Sequence, residues 1–224
     1  MRKTGRPADG CGGEKGVRRV YLLRHGATEA NENRLYCGAS DLPLSEGGRA
    51  ELARLKAIGK YPDAGRLRLY TSGMLRAEQT LRLLFGELPH TAIAQMREID
   101  FGAFELRAYE ELKDVPEYLD WIAGENEKKR CPGGESGAEM EARVLAAFGR
   151  LLQTEGDFLV VTHGGPIAAI MSRLFPAEGK NRYEWQPAAG RGYEIRLEGT
   201  RTLGYRAIPQ MESYKAEGLS RTLN

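Results

Sequence analysis

The sequence predicts an α/β fold of three layers, in which helices cover both faces of a mostly parallel central sheet. Short apolar runs alternate along the chain with longer amphipathic segments, which is the pattern of repeated strand–helix units. Two of these runs, at residues 20–23 and 158–161, contain no charged residue. Strands buried on both faces have this composition. A length of 224 residues fits one such domain.

The elements expected from periodicity follow one another in mixed order along the chain. The expected strands are residues 18–23, 67–71, 92–96, 157–161, 193–197 and 202–208. The expected helices are residues 45–58, 74–85, 109–112, 117–122, 136–152 and 166–174.

Local signals support these boundaries. Ser45 and Ser136 are N-cap residues, and Glu139 completes a capping box with Ser136. Pro166 suits the first turn of the last helix. The turn residues 198–201 separate the last two strands and therefore predict a closing hairpin.

One domain is expected at residues 18–209, with a small helical flap at about 105–134. Residues 1–17 are glycine-rich and polar and are expected to form a disordered tail. Residues 210–224 are expected to form a polar C-terminal tail. No internal repeat is visible.

The composition excludes several classes of function. A net charge of +2 gives no reason to expect nucleic acid or a membrane surface as a partner. No apolar run approaches the roughly 18 residues that span a bilayer, and no secretory signal is visible. Three cysteines without paired spacing predict neither a disulfide framework nor a structural zinc site. We therefore expect a cytoplasmic protein without a metal or cofactor, and either a monomer or a homodimer.

Two histidines stand where predicted strands end. Arg24 and His25 follow the first strand, and His163 follows the strand at 157–161 and precedes Gly164. Ligands of open α/β sheets bind at this edge. Gly26 is expected to turn the chain there, and Gly164 is expected to let a ligand approach the backbone of the following helix.

A third strand end adds a second guanidinium. Arg76 falls in the first turns of the helix at 74–85, at the positive end of its dipole, and Asn31 can add a neutral donor. Arginines grip phosphate oxygens in pairs of hydrogen bonds. This combination favours a phosphoryl ligand over a metal or an acyl group. No GxSxG elbow and no GxxxxGK[ST] loop occurs, which removes the matching hydrolase and NTPase classes.

Residues 23–31, LRHGATEAN, resemble the signature of the histidine phosphatase superfamily, which is also called phosphoglycerate-mutase-like. Further segments resemble that family in the family's order, and the resemblance covers about residues 18–208. These segments are residues 38–48, 72–80, 97–105 and 132–136.

The resemblance implies roles for individual residues. His25 would be the nucleophile that becomes phosphohistidine, and Glu98 would be the general acid. Arg24, Arg76 and His163 would hold the phosphoryl oxygens with help from Asn31, and no metal would be needed. The neighbouring carboxylates that leave the choice of acid open are Asp100, Glu105 and Glu135.

Within the family, the short stretch of about thirty residues between Gly102 and Gly133 resembles the phosphatase branch. Residues 35–38 and 101–105 look most like α-ribazole phosphatases. Phe104 and Leu106 stand where family members commonly have tryptophan and glycine, in the flap expected to contact the leaving group. The expected activity is hydrolysis of a small phosphorylated metabolite, with α-ribazole 5′-phosphate as one candidate. A phosphoglycerate mutase and a non-catalytic phospho-ligand binder are the alternatives.

Overall fold

The structure, a computed structural model, describes residues 16–123 and 127–211. Residues 1–15 and 212–224 of the expected tails lie outside the described residues, as do residues 124–126 of the flap. In the part of the chain that is described, no helix is long and apolar enough to cross a membrane.

A six-stranded sheet forms the centre of the fold, in the order β4-β3-β5-β1-β6-β7. The four strands from β4 to β1 are parallel, β6 runs antiparallel to β1, and β7 closes the hairpin with β6. A separate pair joins β2 to β8. The strands are β1 (Val17–Arg24), β2 (Gly59–Lys60), β3 (Arg68–Thr71), β4 (Thr91–Ala92), β5 (Phe158–Thr162), β6 (Gly192–Glu198), β7 (Arg201–Ile208) and β8 (Gln210–Met211).

Helices cover both faces of this sheet, so the predicted three-layer α/β/α class is confirmed. One face packs against α6 and α7, and the other packs against α2 and α3. The helices are α1 (Glu29–Glu32), α2 (Glu46–Ile58), α3 (Leu75–Phe85), α4 (Tyr109–Leu112), α5 (Pro116–Ala123), α6 (Gly137–Leu152) and α7 (Gly164–Leu174).

The central strand β1 shows why the sheet is buried on both sides. Val20 and Leu22 join the core under α6 and α7, while Tyr21 and Leu23 join the core under α2 and α3. Successive side chains of a strand point to opposite faces, so an uninterrupted apolar run serves both cores. The run therefore identified a central strand.

The predicted helix starts at Ser45 and Ser136 are also confirmed. Ser45 Oγ accepts a hydrogen bond from the Gly48 amide at 2.9 Å. Ser136 and Glu139 form the expected capping box. An N-cap of this kind contributes about 1 kcal/mol to helix stability. These caps fix where α2 and α6 begin.

The strand expected at residues 92–96 is wrong beyond its first residue. β4 is Thr91–Ala92, and Ala94–Met96 is a 3₁₀ helix. The neighbouring strand β3 ends at Thr71, whose carbonyl accepts the last ladder bond from the Ile93 amide. Because β3 does not extend past that point, the pairing ends and the chain turns into the 3₁₀ helix.

The C-terminal boundary also differs from the expected one. Residues 210 and 211, placed in a tail by the sequence pattern, form β8 and pair with β2. The described structure therefore continues two residues past the expected domain end at 209.

The expected flap contains a small hydrophobic core of its own. The bounds of α4 and α5 agree with those of the predicted helices to within one residue. Their apolar side chains form a cluster with Phe104 and Trp121. Tyr36 and Phe101 pack against this cluster from the first part of the chain. Phe104 is buried inside the cluster and Leu106 is exposed.

Candidate active site

His25 lies at the carboxyl end of β1 and is only 4% exposed. Its Nδ1 is 2.6 Å from the carbonyl oxygen of Gly26. A carbonyl oxygen only accepts hydrogen bonds, so Nδ1 carries the proton of the neutral ring. Nε2 is left with its lone pair, as a nucleophilic imidazole requires.

Gly26 serves a different purpose from the expected turn. A Cβ at this position would come within 2.6 Å of Leu52 Cδ1 and 3.1 Å of Leu44 Cδ2. The glycine is therefore needed because α2 packs directly against the strand end. Thr80 Oγ1 accepts the Gly26 amide at 2.9 Å, which fixes this segment to α3.

His163 follows β5, and its ring centroid lies 4.9 Å from that of His25. The neighbouring strand ends β1 and β5 are paired in parallel, with Arg24 opposite Thr162. The structure thus brings together the two histidines that the sequence placed at strand ends.

Ser72 is a residue of this site that sequence reasoning missed. Arg76 Nε donates to His163 Nδ1 at 3.3 Å, and His163 Nε2 lies 2.8 Å from Ser72 Oγ. Because Nδ1 accepts from the guanidinium, Nε2 carries the proton and donates it to the serine. Ser72 directly follows β3, at the same sheet edge as His25 and His163, and this position was the available signal.

Arg76 occupies the first turn of α3, as expected, and is 1% exposed. Nη1 donates to the Ser40 carbonyl and Nη2 to the Gly38 carbonyl, both at 2.7 Å. Its hydrogen-bond partners are two backbone carbonyls and the His163 ring, and none of them is a carboxylate.

Arg24 is partly buried. Nη1 donates to the Pro187 carbonyl oxygen at 2.8 Å, while buried Nε has no hydrogen-bond partner within the described residues. Neither Arg24 nor Arg76 forms an ion pair with a carboxylate in residues 16–123 and 127–211, although the more distant charge of Glu98 acts on Arg24. One buried and one partly buried guanidinium group without an ion-pair partner make an anion the favoured ligand.

Both histidines are neutral in this environment. Burial lowers the pKa of His25 to about 3, with the charges of Arg76 and Arg24 acting in the same direction. Burial also lowers the pKa of His163 well below its ordinary value, and His25, Arg76 and Arg24 lower it further. A neutral His25 has the free lone pair that attack on phosphorus needs.

Glu98 reaches the site over the N-terminus of α7. Its Oε2 accepts the Gly165 amide at 3.0 Å, and Oε1 accepts the Ile99 amide at 3.1 Å. A Cβ on Gly165 would be 2.2 Å from Glu98 Oε1. Glycine at 165 therefore makes room for this carboxyl group.

The other carboxylates considered from sequence have structural partners. Glu105 accepts hydrogen bonds from the backbone amides of Gly38, Ala39, Ser40 and Phe101. Glu135 accepts hydrogen bonds from Nε and Nη2 of Arg143. Burial raises the pKa of Glu135, but the hydrogen bonds and charge of Arg143 outweigh it, and the pKa is lowered. Asp100 accepts from the Gly102 amide at 2.8 Å. Of the four candidates, only Glu98 lines the cavity described next.

Asn31 is the last of the expected residues. Its Oδ1 accepts from the backbone amide and hydroxyl of Thr28, which caps α1. The oxygen of this side chain is thus occupied, and its amide nitrogen remains as the donor. Asn31 lines the same cavity as Arg24 and Glu98. Its position suits a neutral donor to a bound oxygen.

A cavity of about 470 Å³ opens from Arg24, Asn31 and Glu98 toward the flap. Phe104 and Leu106, expected to contact the leaving group, do not line it. Flap and neighbouring segments supply other side chains to its wall. These are Tyr36, Phe101, Trp121, Ile122, Tyr183 and Gln186.

No group of three histidine, cysteine, aspartate or glutamate residues with the geometry for a metal ion occurs among the described residues. Cys37, which lines the cavity, and buried Cys131 are both free thiols.

Comparison with known proteins identifies the family to which these residues point. The family model described as histidine phosphatase superfamily (branch 1) matches residues 20–205. The protein named "Probable phosphoglycerate mutase GpmB" of Enterobacter sp. (strain 638) is 29% identical over 199 residues, covering 80% of this chain and 92% of the relative. The "Adenosylcobalamin/alpha-ribazole phosphatase" of Salmonella typhimurium is 27% identical over 179 residues, covering 77% and 87%.

Solved structures with the same fold include proteins named as α-ribazole phosphatases and a protein named as a phosphoglycerate mutase. The α-ribazole phosphatase from Shigella flexneri superposes with a TM-score of 0.74 at 26% identity, covering 86% of this chain and 96% of that one. A phosphoglycerate mutase from Thermus thermophilus gives a TM-score of 0.60 at 30% identity, covering 84% and 97%. With its family motifs gathered at one sheet edge and the family match over most of its length, the chain belongs to branch 1 of the histidine phosphatase superfamily.

Proposed function

We propose that this chain hydrolyses the phosphomonoester of a small metabolite through a phosphohistidine on His25, without a metal ion. The observation that carries this proposal is a pair of guanidinium groups that form no ion pair with a carboxylate within the described residues, buried Arg76 and partly buried Arg24, beside the neutral His25 ring. A phosphoryl dianion neutralises both charges, while the imidazole supplies the nucleophile.

The first step transfers the phosphoryl group to the enzyme. Nε2 of His25 attacks phosphorus and forms the P–N bond while the ester P–O bond breaks. Arg24, Arg76 and the amides that begin α7 at Gly164 hold the phosphoryl oxygens, because phosphoryl transfer depends mainly on positioning and charge stabilisation. His163 keeps its neutral ring against Arg76 and orients that guanidinium.

Glu98 is the proposed proton carrier in both steps. Its protonated carboxyl group gives a proton to the departing alkoxide, which leaves as the alcohol. The resulting carboxylate then takes a proton from a water molecule that attacks the phosphohistidine. The P–N bond breaks, and orthophosphate and neutral His25 are released.

The shape of the cavity supports a bulky, uncharged leaving group. The wall beside the flap carries the rings of Tyr36, Phe101 and Trp121. Arg182 also lines the cavity, away from the catalytic centre. It lies 3.8 Å from a Glu127 carboxylate oxygen, which balances its charge. Aromatic walls favour a flat apolar group. Such a wall fits α-ribazole 5′-phosphate, and two similar proteins are named as α-ribazole phosphatases.

The alternative proposal is a phosphoglycerate mutase, because other similar proteins carry that name. The ring-lined wall favours hydrolysis, since a glycerate leaving group is small and carries a carboxylate. A purely regulatory phospho-ligand binder is disfavoured because both histidines and Glu98 are present.

One assay separates these possibilities. The protein is incubated with 3-phosphoglycerate and a bisphosphoglycerate primer, and in parallel with α-ribazole 5′-phosphate and other phosphomonoesters. We expect release of the free alcohol and orthophosphate from the esters, with kcat/KM highest for a ring-bearing leaving group. Mutase turnover that exceeds hydrolysis would overturn the proposal, and binding without turnover would favour the regulator.

Metal independence has its own test. Hydrolysis is measured before and after dialysis against EDTA. We expect kcat to be retained, because the proposed mechanism uses arginines and histidines where a metal site would use a Lewis acid. Loss of activity in EDTA that a divalent ion restores would contradict this part of the proposal.

The proposed partner is the small phosphorylated metabolite alone, and the proposed place of action is the cytoplasm. The free thiols of Cys37 and Cys131 support the second point, because reducing compartments keep cysteines unpaired.

A further inference from the structure

Gln186 lies beside the catalytic arginine without a role in the mechanism above. It lines the cavity together with Arg24 and Glu98. Its amide oxygen lies 3.0 Å from the position that a Cβ on Gly164 would take, and the guanidinium carbon of Arg24 lies 3.4 Å from the same point. The side chain therefore reaches over the N-terminus of α7, where the proposed phosphoryl site begins.

The segment that carries Gln186 is firmly held. Trp185 is 1% exposed and packs against the rings of Tyr193 and Tyr205, with centroid distances of 5.9 and 5.2 Å. On the other side, the Pro187 carbonyl accepts the hydrogen bond from Arg24. Anchors on both sides fix the backbone of Gln186 relative to the catalytic centre, as a binding residue requires.

The side-chain amide of Gln186 is available for a ligand. Across the described residues it makes no hydrogen bond, whereas its backbone amide donates to the Tyr183 carbonyl at 3.2 Å. A free amide offers two donors and one acceptor in a cavity whose flap wall is largely aromatic. Ligand sites use a few such polar groups to fix orientation.

A hydroxyl group matches this amide better than a phosphoryl oxygen does. A phosphoryl dianion only accepts hydrogen bonds, so it would leave the amide oxygen of Gln186 without a partner whichever way the amide is turned. A hydroxyl can donate to that oxygen and accept from the amide nitrogen. Arg24, Arg76 and the start of α7 already supply charged and backbone donors for the phosphoryl group.

We propose that Gln186 binds a hydroxyl group of the leaving alcohol and so selects phosphate esters of sugar-like alcohols that carry an uncharged ring. This inference rests on the proposed function, because it assigns the leaving-group side of the same site. The aromatic wall would hold the ring, and Gln186 would recognise the sugar between that ring and the phosphate.

The test compares Gln186→Met with the wild type on three esters. These are α-ribazole 5′-phosphate, its 2′,3′-dideoxy analogue, and phenyl phosphate. A neutral hydrogen bond lost in the transition state lowers kcat/KM about threefold to tenfold. We expect this fall for the hydroxylated ester alone, with no change for the other two esters or for inhibition by orthophosphate.

Glu184→Gln is the matched control, because Glu184 is exposed on the same segment two residues earlier. It should leave all three kcat/KM values unchanged. An equal fall for every ester in Gln186→Met would show that the residue acts only through Arg24, and no fall at all would show that it does not bind the alcohol. Either result overturns the inference.

Failure of the proposed function gives a different result. If the wild type hydrolyses none of the esters, the hydrolase proposal is wrong. Calorimetric binding of the hydroxylated and dideoxy esters to His25→Ala, with and without Gln186→Met, then decides the inference. A severalfold affinity loss confined to the hydroxylated ester supports it, and equal affinities contradict it.

Discussion

The two ends of the cavity are built in different ways. The phosphoryl end consists of residues at strand ends and in the first turn of α3, among which His25 and Arg76 are buried and fixed by backbone carbonyls. The leaving-group end consists of side chains from the flap and from the segment around Gln186, and some of them, such as Ile122 and Tyr183, are well exposed. The difference indicates that the chemistry belongs to the sheet edge, whereas the choice of substrate belongs to elements packed onto it.

The largest expected effect comes from a substitution at the phosphoryl end. Glu98→Gln should lower kcat for alkyl phosphates about 10²- to 10⁴-fold, because the leaving alkoxide loses its proton donor. p-Nitrophenyl phosphate should lose much less, since its leaving group departs without a proton. Steady-state kinetics with both esters gives the comparison.

Asp100→Asn is the matched control for this variant, because it neutralises a carboxylate two residues away that accepts the Gly102 amide and does not line the cavity. It should not change the ratio of the two rates. If Asp100→Asn shows the leaving-group effect and Glu98→Gln does not, the assigned acid is wrong.

Ser72→Ala is expected to loosen the phosphoryl end without touching substrate. It leaves the buried Nε2–H of His163 without its acceptor at 2.8 Å, which costs about 1–3 kcal/mol of unfolding free energy. Denaturant unfolding measures the loss, and ¹⁵N NMR of His163 reports the tautomer. A variant with unchanged stability and an unchanged Nε2–H tautomer would show that Ser72 does not hold the ring.

The burial of His25 predicts a pH dependence of stability. Its folded pKa of about 3 lies below its unfolded value of about 6.5, so the unfolded chain binds more protons between these values. Stability therefore rises with pH through this window and is lost as the pH falls. Between pH 7 and pH 5, the wild type should lose about 2 kcal/mol more than His25→Asn in urea unfolding. Equal losses would mean that His25 is not held neutral.

The smallest expected effect comes from a substitution at the leaving-group end. Ile122 is 39% exposed on α5 and lines the cavity, whereas Leu119 on the same helix is 44% exposed and does not. Ile122→Ser should lower kcat/KM for a ring-bearing ester severalfold, because apolar contact area is lost. Leu119→Ser should have no effect. Inhibition by orthophosphate should stay unchanged in both variants, and a change there would mean that the two ends are not independent.

The sequence was most informative where local chemistry determines structure. Uninterrupted apolar runs identified β1 and β5, and capping residues identified the starts of α2 and α6. His25 and His163 could be placed together because parallel strands end at one edge. Periodicity failed at residues 93–96, where the length of the neighbouring strand β3 decides whether pairing continues.

Contacts between distant segments could not be predicted in the same way. Gln186 lies more than 150 residues from Arg24 in the chain, and no local pattern marks it. The need for glycine at 26 arises from the packing of Leu52, not from the turn that its sequence context indicated. Phe104 departs from the family pattern and was therefore expected to contact the leaving group. It packs inside the flap instead, and Trp121 and Ile122 form the cavity wall.

Trapping the covalent intermediate tests the central claim most directly. The protein is mixed with a ³²P-labelled phosphomonoester, quenched in base, digested and analysed by mass spectrometry. The proposed mechanism predicts a base-stable, acid-labile phosphate on His25 that is absent from His25→Ala and retained in His90→Ala, whose histidine lies on the surface. Label on another residue, or hydrolysis by His25→Ala at the wild-type rate, would contradict it.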